Sequence, residues 1–421
     1  MSFKEIIERV NMTDFQNNLW TILASSASSV FSAAMFLVTV RTAGLAAGGI
    51  LSFAVSITAL LYVLVHFGVR PVQAVDVKQE YSLNSYLGLR LCTAFLAVMV
   101  ILKFVLVGSF EADRVTVILS FFFIYLIDGI ADVFMGDLQQ NGKMRIAGRM
   151  RTCAFILSLI TFSFVTFITS SLITALIVTD VIVLVVYLAF IWFHRKHFKR
   201  VRMRFDTSAV RALALNVLPL LILWLVVSYL TNAQKYFLGF LYSDEAVAVV
   251  AILMTPVIGL NLLSSSFFQG AEMTKTAQIY ANGTINDLSK RVNHQLLVAA
   301  VLGAIFLLCS FTFGIPLLSW LFNADLSPYR REYAFLTLSG LSLVVIYISN
   351  MCILLLQLIK KLLAVMMIIA IIFTPAIWFL VSRHGMIGAT FSHFVIQTAY
   401  SFASFIIYRT AANNIRKGLE R

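Results

Sequence analysis

Hydrophobic residues in this chain are grouped into long runs that short polar stretches separate. Each run has about the 20 residues that a helix needs to cross the hydrocarbon core of a membrane. The pattern therefore predicts twelve transmembrane helices joined by short loops. Their boundaries are 17–40, 48–68, 85–108, 115–138, 148–170, 172–193, 209–232, 245–268, 292–314, 333–357, 361–382 and 386–408.

Composition supports a membrane protein. Of the 421 residues, 60% are hydrophobic and 12% are charged, whereas soluble domains are typically about 45–50% apolar and about 25% charged. The first hydrophobic run follows a charged start and shows no cleavage site, so we expect it to be retained as a helix and not removed as a signal peptide. We predict an all-α, polytopic membrane protein.

A dense basic run, HRKHFKRVRMR at His194–Arg204, lies midway between two sets of six predicted helices. We predict an N-terminal six-helix lobe at 1–193, a basic cytoplasmic linker at 194–208, and a C-terminal six-helix lobe at 209–421 that ends in a short cytoplasmic tail. Equal helix counts favour a pseudo-symmetric transporter, in which the substrate site lies between the repeats.

Lysine and arginine are distributed unevenly between the two sets of loops. With the N-terminus inside, 24 of them lie on the cytoplasmic side and six on the other. Cytoplasmic loops carry the basic excess, so both termini are predicted to be cytoplasmic, in the cell membrane. The net charge of +13 indicates contact with anionic membrane lipids and not with nucleic acid.

Signatures of enzymes are missing from the sequence. It contains no G-x-x-x-x-G-K-[ST] phosphate loop and no G-x-S-x-G elbow. The cysteines fall within apolar runs without metal-ligand spacing. We therefore expect a transporter with no catalytic residue, no cofactor and no metal, driven by a gradient or a membrane potential.

Charged residues inside predicted helices are the main candidates for function, because each costs about 2.5–3.5 kcal/mol at the centre of a span. Arg90 lies in helix three, Asp128 and Asp132 lie one turn apart in helix four, and Asp180 lies in helix six. Helices three and four run in opposite directions, which places Arg90 and Asp128 in the same half of the membrane. They form either a structural ion pair or part of a hydrated cavity, and the sequence leaves both open.

Polar residues are sparser in the second half. Asn216 lies in helix seven and, with the three aspartates, is a candidate for lining a cavity or coupling an ion. His393 and Gln397 share a helix face, for which an interhelical hydrogen bond is the favoured interpretation. Lys235 and Arg41 lie at corresponding outer helix ends, where they either meet an anionic substrate or snorkel to the interface.

Three stretches resemble a known family. VTVRTAGLAAGGILS carries Arg41, Gly44 and Gly49 in the R-x-x-G-x-x-x-x-G pattern of Wzx-type polysaccharide flippases, in the multidrug/oligosaccharidyl-lipid/polysaccharide (MOP) exporter superfamily. FGVR at 67–70, followed by Asp76 and Lys78, resembles that family's loop after helix two. NAQKYFLG at 232–239 resembles its connection between helices seven and eight.

The resemblance implies two six-helix lobes that alternately open a cationic cavity to each side of the membrane. The implied cargo is an undecaprenyl-diphosphate-linked oligosaccharide, and a polysaccharide polymerase and chain-length proteins are implied partners. A diphosphate needs cations, so Arg41, Arg70, Arg90 and Lys235 are the candidate substrate-binding residues.

Three other functions each require a sequence feature that can be compared with this chain. A multidrug exporter of the same superfamily is expected to carry an acidic cation site in its N-terminal lobe, and Asp128 or Asp180 would have to provide it. A major-facilitator transporter is expected to show G-x-x-x-D-R-x-G-R-[RK] after helix two, where this chain reads GVRPVQAVDV. A glycan polymerase or ligase is expected to have a large outer loop, whereas the longest one here is about 315–332.

Overall fold

The computed structural model describes residues 3–76, 80–198, 206–269 and 271–419, and within these ranges the regular structure is entirely helical. Residues 199–205 of the predicted basic linker, together with Lys78, lie outside the described residues. The α-helices are α1 (Phe3–His66), α2 (Val69–Val75), α3 (Leu83–Val107), α4 (Ala112–Gln140), α5 (Met144–Thr169), α6 (Leu172–Phe193), α7 (Thr207–Leu241), α8 (Asp244–Leu253), α9 (Thr255–Gln269), α10 (Ala271–Asn282), α11 (Ile285–Cys309), α12 (Ile315–Phe322), α13 (Arg330–Leu355) and α14 (Ile359–Leu419).

The described part of the chain holds nine helical segments that are long and apolar enough to cross a membrane, and α8 with α9 forms a bent pair that counts as a tenth. Two of these segments, in α1 and α14, each consist of two helices joined at a kink. Gly44 (φ 88°) interrupts α1 and Gly385 (φ 57°) interrupts α14, in backbone conformations that glycine adopts without a steric penalty. Divided at these glycines, the structure contains the twelve predicted crossings. The all-α polytopic fold is confirmed.

Two compact units make up the chain, Met1–Leu221 and Ile222–Arg421. In the first unit α1 packs against α4 and α5, and α6 packs against α4 and α5. The start of α7 belongs to this unit, because Leu213 and Val217 are buried in a cluster with Val69 and Tyr86. The division between the units therefore falls inside α7, and not in the basic stretch before it.

In the second unit α13 packs against α14, α9 and α11. The bend of 48° between α8 and α9 is next to Pro256, which has no N–H to continue the helical hydrogen bonds. Between α11 and α12 the chain makes a wider π-helical turn at Ser310–Gly314. The Tyr333 hydroxyl donates to the Ser310 carbonyl in that turn, at 3.3 Å.

Candidate functional site

The first unit holds a set of buried charges around two carboxylates of α4. Asp128 and Asp132 are four residues apart, so they lie one above the other on the same face of the helix. Both are buried, with exposed fractions of 0% and 2%. Because α4 packs against α1, α2, α3, α5 and α6, basic side chains of several helices reach this face.

Asp132 is the centre of the first group, which we call the Asp132 cluster (His66, Arg70, Arg90, Asp132 and Gln139). Arg70 donates to Asp132 Oδ1 at 3.0 Å and to the Asp132 carbonyl at 2.8 Å. Its other nitrogens donate to Gln139 Oε1 at 2.8 and 3.1 Å. Through Arg70 the Asp132 cluster thereby joins α2 to α4.

Arg90 is the most deeply buried member of the Asp132 cluster, with no exposed surface. It donates to Asp132 Oδ2 at 3.2 Å and to the Val65 carbonyl, in the last turn of α1, at 2.5 Å. The suggested pairing of Arg90 with Asp128 is therefore wrong by one helical turn. Asp128 instead forms an ion pair with Arg151 of α5.

The Asp128 cluster (Tyr62, Asp128, Arg151 and Tyr187) is the second group. Arg151 donates to Asp128 Oδ2 at 2.6 Å and to the Tyr62 hydroxyl at 2.5 Å. Tyr187 donates to Asp128 Oδ1 at 2.5 Å, and Tyr62 donates to Oδ2 at 3.3 Å. A buried carboxylate needs such donors, because leaving its charge uncompensated costs several kcal/mol.

A cavity of about 140 Å³ adjoins both clusters. Its polar lining comes from Arg70, Asp132, Gln139 and Arg151, and its remaining wall is formed by Ala24, Met135, Met144, Ala147 and Gly148. With His66 neutral, the two clusters together contain three guanidinium groups and two carboxylates. The buried site carries a formal excess of one positive charge, which favours anions over cations.

The other candidates of this unit lie apart from the two clusters. Arg41 is exposed, three residues before the glycine that interrupts α1. Asp180 is half-buried and accepts a hydrogen bond from Ser120 on α4 through Oδ2, and its Oδ1 is buried without a hydrogen-bond partner among the described residues. Asn216 is exposed on the surface of α7.

Lys235 is a buried cation on α7 in the second unit. It is 7% exposed, and within the described ranges no carboxylate or hydrogen-bond acceptor is within bonding distance of its ammonium. His393 on α14 lies close enough to Lys235 for the two charges to interact. His393 is 2% exposed, and its buried Nδ1 has no hydrogen-bond partner in the described part of the chain. The interhelical hydrogen bond favoured for His393 is thus not made through this nitrogen.

Several residues of the clusters were not singled out by the sequence, namely His66, Tyr62, Gln139, Arg151 and Tyr187. Arg151 is one of the 24 basic residues that the charge distribution assigns to the cytoplasmic side, although the predicted hydrophobic run at 148–170 includes it. The spacing of Tyr62 and His66, four residues apart near a helix end, was the available signal for the other side of the site. Tyrosine hydroxyls give no hydropathy signal that separates a carboxylate ligand from a core residue.

Comparison with known proteins agrees with this architecture. A MATE transporter in a bent conformation is 14% identical, with 97% of each chain covered and a TM-score of 0.58. An inward-facing multidrug resistance MATE family transporter of the MOP superfamily is also 14% identical, with 96% of this chain and 95% of that chain covered and a TM-score of 0.60. At such identities the likeness establishes the fold.

A MOP superfamily transporter from Pyrococcus furiosus, described with a binding pocket of reverse polarity that suggests a different function, is 13% identical, with 96% of each chain covered and a TM-score of 0.56. A search of curated proteins finds no match. The model of the polysaccharide biosynthesis protein family matches residues 15–265, which is more than half of the chain. The MOP transporter fold and this match confirm the resemblance found in the sequence, and the chain belongs to the polysaccharide biosynthesis protein family.

Proposed function

We propose that this MOP transporter is a flippase. It moves undecaprenyl-diphosphate-linked oligosaccharide repeat units from the inner to the outer leaflet of the cytoplasmic membrane by alternating access. The single observation that carries the proposal is the burial of Lys235 in the second unit without a carboxylate partner in the described ranges.

An unpaired buried ammonium is costly, since a buried ion loses several kcal/mol of hydration that only a counter-charge returns. Such a group is retained where a ligand supplies that counter-charge. A diphosphate does so with several strong acceptor oxygens. A cationic drug would instead be repelled by Lys235, and this favours an anionic cargo.

The first unit also favours an anionic cargo, because its two buried clusters carry an excess of one positive charge. Arg70 has 27% of its side chain exposed and lines the cavity, and Arg41 is exposed, which supports a role for both in binding a diphosphate. Arg90 has no exposed surface. Within the proposal, Arg41, Arg70 and Lys235 bind the cargo, whereas Arg90 positions Asp132.

A cation-coupled multidrug exporter is the second candidate function. The observation in its favour is Asp180, whose Oδ1 is buried without a hydrogen-bond partner in the described part of the chain and would suit a cation. Asp128 does not favour it, since three donors already hold that carboxylate. Asp132, Asp180 and Asn216 remain candidates for coupling an ion in either function.

Charge substitution at Lys235 tests the proposal in the host strain. Lys235→Met removes the charge and keeps the length of the side chain, and we expect it to reduce surface polysaccharide at least tenfold, with Lys235→Arg retaining most of it. Lys103→Met is the matched control, because Lys103 is an exposed lysine on a membrane-spanning helix. Equal polysaccharide from Lys235→Met and Lys103→Met, at equal protein abundance, would contradict a cationic cargo site.

Membrane orientation and partners form a separate part of the proposal. The basic excess of 24 residues against six supports cytoplasmic termini, and labelling of single cysteines placed at each terminus with an impermeant reagent tests this. A polysaccharide polymerase and chain-length proteins stay predicted partners of the flippase.

A further inference from the structure

His66, the last residue of α1, is held in one tautomer by its own helix. Its Nδ1 lies 3.0 Å from the Tyr62 carbonyl oxygen, and its ring contacts the Tyr62 ring at a tilt of 42° with centroids 3.8 Å apart. A carbonyl only accepts hydrogen bonds, so Nδ1 carries the hydrogen. In a neutral imidazole the other nitrogen, Nε2, is then a bare acceptor.

Another hydrogen-bond acceptor lies close to this Nε2. Nε2 lies 3.8 Å from Asp132 Oδ2, and it is buried without a hydrogen-bond partner among the described residues. Neither atom carries a hydrogen that it could donate to the other. A proton on Nε2 would turn this contact into a charge-assisted hydrogen bond, about twice as strong as a neutral one.

We infer that His66 and Asp132 form a proton-binding site of this transporter. The proton comes from hydronium in the solvent, an N–H bond forms at Nε2, and water is left behind. Nδ1 keeps its hydrogen on the Tyr62 carbonyl throughout, so no other bond has to break. The resulting imidazolium is bound to Asp132 Oδ2.

Solvent has a route to this site. Asp132 lines the cavity of about 140 Å³, and 17% of the His66 side chain is exposed. Histidine is the side chain whose charge ordinarily changes between pH 5 and 8. The cavity therefore gives solvent protons access to the site.

The neighbouring charges determine when the proton binds. The charged groups that act on His66 from the surrounding helices are Arg90, Asp128, Asp132 and Arg151. Tyr62 contacts its ring, and Arg70 binds the other oxygen, Oδ1, of the Asp132 carboxylate. These groups carry three positive and two negative charges. Their net positive charge disfavours the binding of a further proton at His66. Arg70 is the most exposed of these arginines and holds the other oxygen of the same carboxylate.

Proton binding is therefore linked to the position of Arg70. An anion that draws Arg70 away from Asp132 removes an opposing charge, and His66 then binds its proton more tightly. Linkage makes the effect reciprocal, so that the proton also favours anion binding. This coupling rests on the proposed anionic cargo, whereas the proton site itself does not.

Proton uptake by the purified full chain in unbuffered detergent, followed with indicator dyes from pH 8 to pH 3, tests the site without any cargo. The test variant is His66→Asn, whose amide keeps a donor near the position of Nδ1 but cannot be protonated. His66→Gln is the second variant if the first fails to fold. His294→Gln is the control for loss of a histidine outside the site, because His294 is exposed.

The expected result is one proton fewer for His66→Asn than for the wild type. Arg70→Gln should shift the His66 step upward by about one pH unit, a tenfold change in proton affinity, since a charge within about 10 Å is removed. Uptake by His66→Asn equal to that of the wild type would overturn the site. An unchanged step in Arg70→Gln would overturn the link to Arg70. Both results stand whether or not the chain flips a lipid-linked glycan.

Discussion

Arg90→Met is the perturbation that tests most sharply how the charged site is built. The arginine has no exposed surface, and its guanidinium joins α3 to Asp132 on α4 and to the last turn of α1. Methionine fills much of the same volume but supplies neither hydrogen bond. Asp132 then keeps Arg70 as its remaining cationic partner, together with the neutral His66.

The expected loss follows from burial. Removing one partner of a buried ion pair costs about 3–5 kcal/mol where the other charge is left without compensation. Arg90→Met should lie near the lower end of that range, because Arg70 still contacts Asp132. Arg70→Met should cost less, about 1 kcal/mol, since Arg70 is 27% exposed and water can replace part of its contact. The double variant Arg90→Met/Asp132→Asn should be more stable than the sum of the single losses predicts, since it no longer buries an unpaired charge.

Denaturant unfolding in detergent, followed by tryptophan fluorescence, measures these differences, with Lys103→Met as the control for loss of an exposed charge. The predicted order of stability is Lys103→Met, then Arg70→Met, then Arg90→Met. If Arg90→Met unfolds at the same denaturant concentration as Lys103→Met, the Asp132 cluster does not stabilise the fold and this part of the reasoning is refuted.

Three further predictions concern the rest of the chain. Gly148→Ala should destabilise by more than 1 kcal/mol, because its Cβ would lie 2.6 Å from the Trp20 carbonyl oxygen. Gly44→Ala should cost about 1–2 kcal/mol through its φ of 88° alone. Thermal melting of both variants checks these values. Burial acts to raise the pKa of Glu272, but hydrogen bonds from Gln295 and Arg291 outweigh it and hold that pKa below its ordinary 4.5. The stability gained is present above about pH 4.5 and is lost as the pH falls through the lower, folded pKa. Melting temperatures from pH 6 to pH 3 should therefore fall more steeply for the wild type than for Glu272→Gln.

Much of the fold was predictable because hydropathy reports burial in lipid directly. Each of the twelve apolar runs is found as a crossing, including the two pairs that a glycine alone separates. Where the two units divide was harder to predict. A basic run marks a loop, but it carries no information about which unit the next helix packs against, and Leu213 of α7 is buried in the first unit.

The two carboxylates of the charged site were predictable from the sequence, whereas most of their partners were not. A carboxylate inside a span marks a buried polar site whatever its partner, so Asp128 and Asp132 stand out from sequence. Which arginine reaches which carboxylate depends on helix rotation and axial offset of a few ångströms. One helical turn separates the two carboxylates, and that turn decided between Asp128 and Asp132 as the partner of Arg90.

The central proposal is that the cargo is an anionic, lipid-linked glycan. The most direct measurement is to deplete the protein in its host and quantify diphosphate-linked oligosaccharides on the inner leaflet by extraction and mass spectrometry, with leaflet assignment by an impermeant glycosidase. The proposal predicts that the lipid-linked repeat unit accumulates on the inner leaflet and that wild-type protein, but not Lys235→Met, reverses this. No accumulation, together with increased sensitivity to cationic drugs, would contradict it.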